Sequence, residues 1–242
     1  MINIKTKYFF IVIILVLFLS DNLQAKIYKF NNLGEARKIY PTNPAKAHEL
    51  VDEAIEHYLK KPNKEFPWLG YAYRDKAFYL EKENNLKLAL EFQTKSCEEH
   101  KKDFKKVKIN DRKGNLITCY YFLSAYLNDN NLLEESIDIS TKAINLFEEF
   151  KSNNYYINEY VGSKSLSFEV VQRARTYKDL FRYKESINDY KKYLKLVSVT
   201  DLNELGSDDY LNALSEVEFI YLSLGDTKNE YKYLKLRYDI IQ

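Results

Sequence analysis

The sequence is poor in proline, glycine and cysteine, and the positions of its prolines are informative. Its 242 residues include four Pro, six Gly and two Cys. So few turn-forming residues exclude a turn-rich all-β sandwich and a fibrous protein. All four prolines lie between Pro41 and Pro67, so no proline interrupts a helix in the rest of the chain.

An excess of charge of one sign is also missing. The 37 Lys and Arg residues are balanced by 35 Asp and Glu, which leaves a formal net charge of +2. This balance lacks the excess of positive charge that is typical of proteins that bind nucleic acid or another polyanion. Hydrophobic residues make up 45% and aromatic residues 15% of the chain, which excludes an intrinsically disordered protein. The composition is typical of a helical protein, built as one domain or as one elongated array.

The N-terminal residues contain an apolar run that is too short to span a membrane. Phe9 to Leu19 is an unbroken run of eleven apolar residues, whereas a spanning helix needs about 20. Lys5 precedes the run and Ala25 follows it, an arrangement typical of a secretory signal peptide cleaved between Ala25 and Lys26. We predict a signal peptide over residues 1–25 and a mature domain over residues 26–242, periplasmic or secreted, with no membrane span after signal removal. An uncleaved anchor is the alternative.

The two cysteines and three histidines give few options for covalent or metal chemistry. Cys97 and Cys119 lie 22 residues apart, and in an oxidising compartment they either form a disulfide or remain two buried small side chains. The histidines show no paired ligand spacing, so the sequence predicts no metal site. These are His48, His57 and His100.

Apolar residues recur with helical spacing in pairs of segments separated by short polar breaks. This pattern predicts antiparallel helix hairpins. A partial first unit begins near Asn43-Pro44, a favourable helix start. Four complete hairpins follow, with extra length between hairpins at Lys101 to Asn115 and Ser152 to Ser163. The predicted segments are 70–82 with 86–100, 116–127 with 132–150, 165–180 with 183–197, and 209–224 with 227–241.

Small residues recur within these hairpins at spacings of 12 and 7, which predicts close helix crossings. The sets are Ala77, Ala89 and Ser96, then Ser124, Ser136 and Ala143, then Ala174 and Ser186 with Tyr193 in the third place. In the last hairpin Glu230 and Arg237 stand at the equivalent positions. We interpret this last unit as a solvent-facing terminal cap, with a degenerate repeat as the alternative.

The hairpins with their small-residue register resemble the tetratricopeptide repeat (TPR) over roughly residues 28–242. The resemblance implies an all-α, right-handed α-solenoid of TPR-like hairpins, although the anchors here recur after 47 and 50 residues rather than about 34. It also implies that the first helix of each hairpin lines a concave surface. The inward-facing offsets of the family give a candidate peptide-binding groove of Tyr71, Arg74, Phe78, Thr118, Tyr121, Phe168, Arg175 and Lys178.

Motifs for catalysis or cofactor binding are missing from the sequence. There is no nucleophile elbow, phosphate-binding glycine loop or zinc-protease motif. The leading hypothesis is an exported, non-enzymatic scaffold that binds a protein or peptide and no cofactor. One alternative is an immunity or inhibitor protein that neutralises a toxin or enzyme outside the cytoplasm, and another is an enzyme. The partner, pathway and oligomeric state stay open.

Overall fold

The structure is a computed structural model that describes residues 32–60, 68–106, 110–152, 159–197 and 207–241. The predicted signal peptide and its cleavage site lie outside the described residues. Every described segment is helical, with turns between helices and no strand in these ranges. The helices are α1 (32–39), α2 (Pro44–Lys60), α3 (Trp68–Lys82), α4 (Leu86–Lys106), α5 (Asn110–Asp129), α6 (Leu133–Ser152), α7 (Glu159–Asp179), α8 (Tyr183–Leu196), α9 (Ser207–Ser223) and α10 (Thr227–Ile241).

The chain divides into two compact units, Met1–Ser96 and Cys97–Gln242, with the boundary inside α4. In the first unit, the core is formed by α1, α2 and α3, and Phe92 of α4 packs against it. In the second unit, α5 pairs with α6, α7 with α8, and α9 with α10. Successive hairpins of this unit are joined because α7 packs on α6 and α9 packs on α8. Among the described helices, none has the length and apolar character that a membrane crossing needs.

The small-residue register is confirmed by the packing inside the hairpins. Ser124 and Ser136 are fully buried, and Ser136 Oγ donates a hydrogen bond to the Ser124 carbonyl at 2.8 Å. Ser186 Oγ donates to the Ala174 carbonyl at the same distance. A larger side chain at these positions would separate the helices, so the spacing of 12 marks the helix crossing.

The turns inside four hairpins share one geometry. The residues with positive φ are Asn84, Asn131, Phe181 and Gly225, with φ between 57° and 68°. In each turn this residue donates its N–H three residues back, and the next residue donates five residues back, which is the Schellman motif that ends helices. Asn and Gly tolerate this left-handed conformation, whereas a Phe adopts it at a cost.

The extra length is placed differently from the prediction. We expected Lys101 to Asn115 and Ser152 to Ser163 to lie between hairpins. Instead α4 continues to Lys106, α5 begins at Asn110 and α7 begins at Glu159, so most of these residues extend the helices. The chain has no proline here to stop a helix. Gly114 lies inside α5, where its helix cost of about 1 kcal/mol is tolerated.

Cys97 and Cys119 form a disulfide that joins α4 to α5 within the second unit. Their Cα atoms are 5.5 Å apart, and both residues are buried. A cross-link that closes a loop of this length stabilises a fold by about 3 kcal/mol through the entropy of the unfolded chain.

In the last hairpin, an ion pair occupies positions at which the preceding hairpins have small residues. Glu218 lies seven residues before Gly225, the positive-φ residue of its turn, as Ala174 lies seven residues before Phe181 in the preceding hairpin. Arg237 Nη2 lies 3.1 Å from Glu218 Oε2, and Arg237 Nη1 donates to Ser215 Oγ at 2.9 Å. The Arg237 guanidinium is therefore half-buried between α9 and α10.

Candidate functional site

The eight residues predicted to line a groove lie on first helices of hairpins in both units. Tyr71, Arg74 and Phe78 lie on α3 in the first unit, and the others lie on α5 and α7 in the second. The members in the second unit are Thr118, Tyr121, Phe168, Arg175 and Lys178.

The three residues of α3 share one face and stack on aromatic neighbours. The Arg74 guanidinium carbon lies 4.9 Å from the centre of the Tyr71 ring, a cation–π contact. Phe78 is 43% exposed, and its ring packs against Tyr40 of the turn after α1. The arrangement leaves one exposed aromatic ring beside an arginine.

An ion pair between α1 and α3 fixes the position of this face. Arg37 Nε donates to Asp75 Oδ2 at 2.8 Å, and Arg37 Nη2 donates to Oδ1 at 3.1 Å. Burial raises the pKa of Asp75, while the hydrogen bonds and charge of Arg37 oppose the rise. The two-pronged contact fixes the Asp75 carboxylate, because a planar guanidinium and a carboxylate fit in only one register. Arg74 Nη2 lies 3.9 Å from the same carboxylate.

In the second unit, an aromatic pair joins the first helices of two neighbouring hairpins. The rings of Tyr121 on α5 and Phe168 on α7 are 5.8 Å apart and tilted by 41°, within the range of favourable aromatic contacts. Phe168 is 37% exposed and Tyr121 is half-buried. The pair forms an apolar patch that spans α5 and α7.

Arg175 is the centre of a cluster that we call the Arg175 cluster: Tyr121, Phe168, Arg175, Tyr190, Tyr193 and Asp209. Burial raises the pKa of Tyr121, Tyr190 and Tyr193, and in each case the positive charge of Arg175 opposes the rise. The negative charge of Asp209 raises the pKa of Tyr121 and of Tyr193 further. The charge of Arg175 thus acts on three phenol groups contributed by α5 and α8, and the carboxylate of Asp209 on α9 acts on two of them.

The positive charge of Arg175 is not neutralised by an ion pair among the described residues, whereas that of Lys178 is. Arg175 is exposed and contacts the neutral phenol of Tyr190, and no ion pair among the described residues involves it. Lys178, in contrast, lies 2.7 Å from Glu216 and joins α7 to α9. Thr118 also has a partner, since its hydroxyl donates to the Gly114 carbonyl at 3.2 Å. Of the predicted polar groups in the second unit, Arg175 is therefore best placed to meet a ligand.

Beneath this surface lies a buried carboxyl group that the sequence pattern did not predict. Glu169 on α7 is 1% exposed, and Ser124 Oγ donates to its Oε2 at 3.4 Å. Burial raises the pKa of Glu169 to about 8, and the hydroxyls of Ser140 and Ser124 partly offset this rise. At neutral pH the group is chiefly a neutral acid that can itself donate a hydrogen bond.

The sequence contained a weak signal for Glu169. It interrupts an apolar stretch, Leu166 to Val171, in which an acid is unexpected. Tyr190 and Tyr193 are buried packing residues, but helical spacing alone could not place their phenol groups beside Arg175. In the described part of the chain, no three His, Cys, Asp or Glu side chains come together as a metal site.

Solved structures with the same fold are TPR-like repeat proteins. The kinesin light chain TPR-like repeats of Podosopora anserina match with a TM-score of 0.62 at 14% identity, over 87% of this chain and 93% of that one. BtubC from P. vanneervenii matches with a TM-score of 0.64 at 13% identity, over 88% of this chain and 87% of that one. No family model matches the sequence.

A Rap protein provides a further match. The apo form of RapI has a TM-score of 0.66 at 9% identity, over 88% of this chain and 69% of that one. Sequence identities this low show the fold alone. The predicted fold class is confirmed: the protein is an all-α, TPR-like helical-repeat solenoid.

Proposed function

We propose that this protein is an exported, non-enzymatic scaffold that binds a protein or peptide on the first-helix surface of its hairpins. The single observation that carries the proposal is the Arg175 cluster, where the exposed Arg175 follows Phe168 by seven residues on one face of α7 and the Phe168 ring packs on Tyr121. Aromatic rings with an interspersed arginine are the side chains that protein interfaces favour.

The chemistry of the cluster indicates what a ligand would offer. The planar fork of an arginine suits a carboxylate, which it contacts through two parallel hydrogen bonds. The partly exposed ring of Phe168 suits an apolar side chain on the same segment. We therefore infer a ligand segment that places a carboxylate, from an acidic side chain or a chain terminus, close to an apolar residue.

The comparison with a Rap protein is consistent with this reading. A Rap protein crystallised in complex with Competence and Sporulation Factor has a TM-score of 0.55 at 10% identity, over 88% of this chain and 54% of that one.

The Arg175 cluster combines a cation with Asp209 and neutral phenols. The inhibitor alternative would favour a strongly acidic or basic face, so the mixed character of the cluster favours the general scaffold.

Export rests on the N-terminal sequence, and the disulfide is consistent with it. Disulfides persist mainly in oxidising compartments outside the cytoplasm, and Cys97 is bonded to Cys119. N-terminal sequencing of the mature protein from the periplasm or culture medium should begin at Lys26. A cytoplasmic protein that keeps Met1 would contradict export while leaving the binding proposal standing.

The binding proposal is tested by affinity capture from the exported fraction. The wild-type protein should recover a specific partner, and Arg175→Gln should recover it at least tenfold less efficiently, about 1.4 kcal/mol of binding free energy. Lys142→Gln is the matched control, because it removes one exposed positive charge from the second helix α6. Equal recovery by both variants would contradict the assigned surface.

A further inference from the structure

The last hairpin carries an unusual amount of exposed apolar surface. Of the fourteen large hydrophobic side chains that are exposed in the described residues, eight belong to α9, α10 and the turn between them. Four of these lie on α10 at spacings of 3, 4 and 3, so they form one row on the helix surface. We call them the α10 row: Tyr231, Leu234, Tyr238 and Ile241, which are between 40% and 66% exposed.

The preceding hairpins show what covers an equivalent row. Counted from the positive-φ residue of each turn, the α10 row corresponds to Ile187, Tyr190 and Leu194 on α8 and to Val197 directly after it. The same count on α6 gives Ile137, Ser140, Ile144 and Phe147. Seven of these eight residues are buried, because α9 packs on α8 and α7 packs on α6. The α10 row is therefore the third copy of a surface that accepts a helix.

A groove beside the α10 row makes the surface suitable for a helix. The groove has a volume of about 320 Å³ and lies between α9 and α10. Leu211, Asn212 and Ser215 line one side, and the other side includes Leu234 and Ile241. Phe219 and Leu222 extend the apolar surface along α9, each more than half exposed.

The size of this patch matches one side of a stable interface. With aromatic side chains of roughly 150–250 Å² each, the row with Phe219 and Leu222 offers on the order of 700 Å². The largest apolar patch of a typical monomer is about 300–600 Å², whereas each partner of a standard interface buries about 800 Å². A second copy of the chain supplies the same area in return.

The charges that flank the α10 row favour a second copy in one orientation. Glu230 precedes the row on one side and Lys235 lies on the other, five residues later. In a parallel pair of helices with apolar spacing of 3 and 4, two such positions face each other across the interface. Neither Glu230 nor Lys235 has an ion-pair partner among the described residues. Antiparallel pairing would instead bring Lys228 and Lys235 of one copy towards the lysines of the other. On the opposite flank it would set Glu230 against Arg237, which Glu218 of the same chain already neutralises.

We propose that the protein forms a two-fold homodimer in which α10 packs in parallel against α10 of a second copy. The two α10 rows form the apolar seam, and Glu230 of each copy pairs with Lys235 of the other. This symmetric contact is closed, so it ends at two chains.

Sedimentation velocity of the purified protein at micromolar concentrations tests the proposal. The wild type should be dimeric, and Tyr231→Glu with Ile241→Glu should be monomeric. Both side chains are 66% exposed, so circular dichroism should show unchanged helix content. Leu59→Glu, at an exposed leucine of α2, is the control and should remain dimeric. A monomeric wild type, or a dimer that survives the double change, would overturn the proposal.

Charge exchange tests the orientation of the two helices. Glu230→Lys and Lys235→Glu should each weaken the dimer about tenfold, and the two changes together should restore it. A combined variant that dimerises no more tightly than either single variant would contradict parallel pairing.

Binding to vesicles that contain an anionic phospholipid is the last experiment. Binding of a monomeric wild type to these vesicles would assign the α10 row to a membrane surface and overturn the dimer.

Discussion

Arg173 on α7 holds both carboxylate oxygens of Asp189 on α8. Nε lies 2.7 Å from Oδ2, and Nη2 lies 2.9 Å from Oδ1. The third nitrogen, Nη1, donates to Thr141 Oγ1 on α6 at 2.8 Å. One side chain therefore ties three helices of the second unit together, on the same helix that carries Phe168 and Arg175.

Removing Arg173 alone should lower the free energy of unfolding strongly, whereas removing both charges of the pair should lower it little. The side chains of Arg173 and Asp189 are 15% and 9% exposed, so Arg173→Met leaves a nearly buried carboxylate without its partner. We expect a loss of about 3 kcal/mol in the free energy of unfolding, measured by urea denaturation. The double change Arg173→Met with Asp189→Leu should recover most of it. A double variant as unstable as the single one would show that the Thr141 contact or packing dominates.

Glu169 should make the stability of the second unit depend on pH. Its pKa is raised to about 8 in the folded protein, whereas an unfolded glutamate titrates near pH 4.3. Between these values the folded state binds the extra proton, so the stabilisation is complete at low pH and is lost as pH rises towards 8. The slope approaches about 1.4 kcal/mol per pH unit.

Glu169→Gln should remove that slope, because a glutamine keeps the hydrogen-bonding shape without the charge. Thermal melting at pH 5, 7 and 9 should show the variant gaining stability over the wild type as pH rises. Glu148→Gln is the control, since Glu148 is an exposed partner of Lys192. Parallel pH profiles for the wild type and Glu169→Gln would contradict a buried neutral acid.

The sequence predicted the helix crossings but not the rotation of α7 about its axis, and the difference has a physical basis. Small residues predicted the helix crossings, because only a small side chain permits the close contact of Ser136 with Ser124. The phase of α7 was harder to predict, since Phe168 is 37% exposed while Glu169 beside it is 1% exposed. Hydrophobicity favours the opposite arrangement. The crossing and ion pairs of α7 determine its rotation, and these contacts come from residues distant in sequence.

Phe181 is a second feature that local preference does not explain. It takes the positive-φ position of its turn, with φ 57°, where two equivalent turns have Asn and one has Gly. The side chain is 78% exposed, so little packing offsets the left-handed conformation. Phe181→Gly should therefore stabilise the protein by about 1 kcal/mol, seen as a higher melting temperature. Gly225→Ala, at the matching position, should destabilise it. A loss of stability in Phe181→Gly would indicate that the ring contact with Tyr183 outweighs the backbone strain.

The most direct test of the account is a comparison of ligand affinities at the Arg175 cluster. Peptides selected from a random library on the immobilised wild-type protein serve as the probe, and their dissociation constants are measured by isothermal titration calorimetry. We expect the selected peptides to pair a carboxylate with an apolar residue. These should bind Arg175→Gln at least tenfold more weakly and bind Lys142→Gln unchanged. Selected peptides that bind Arg175→Gln as tightly as the wild type would contradict the central claim.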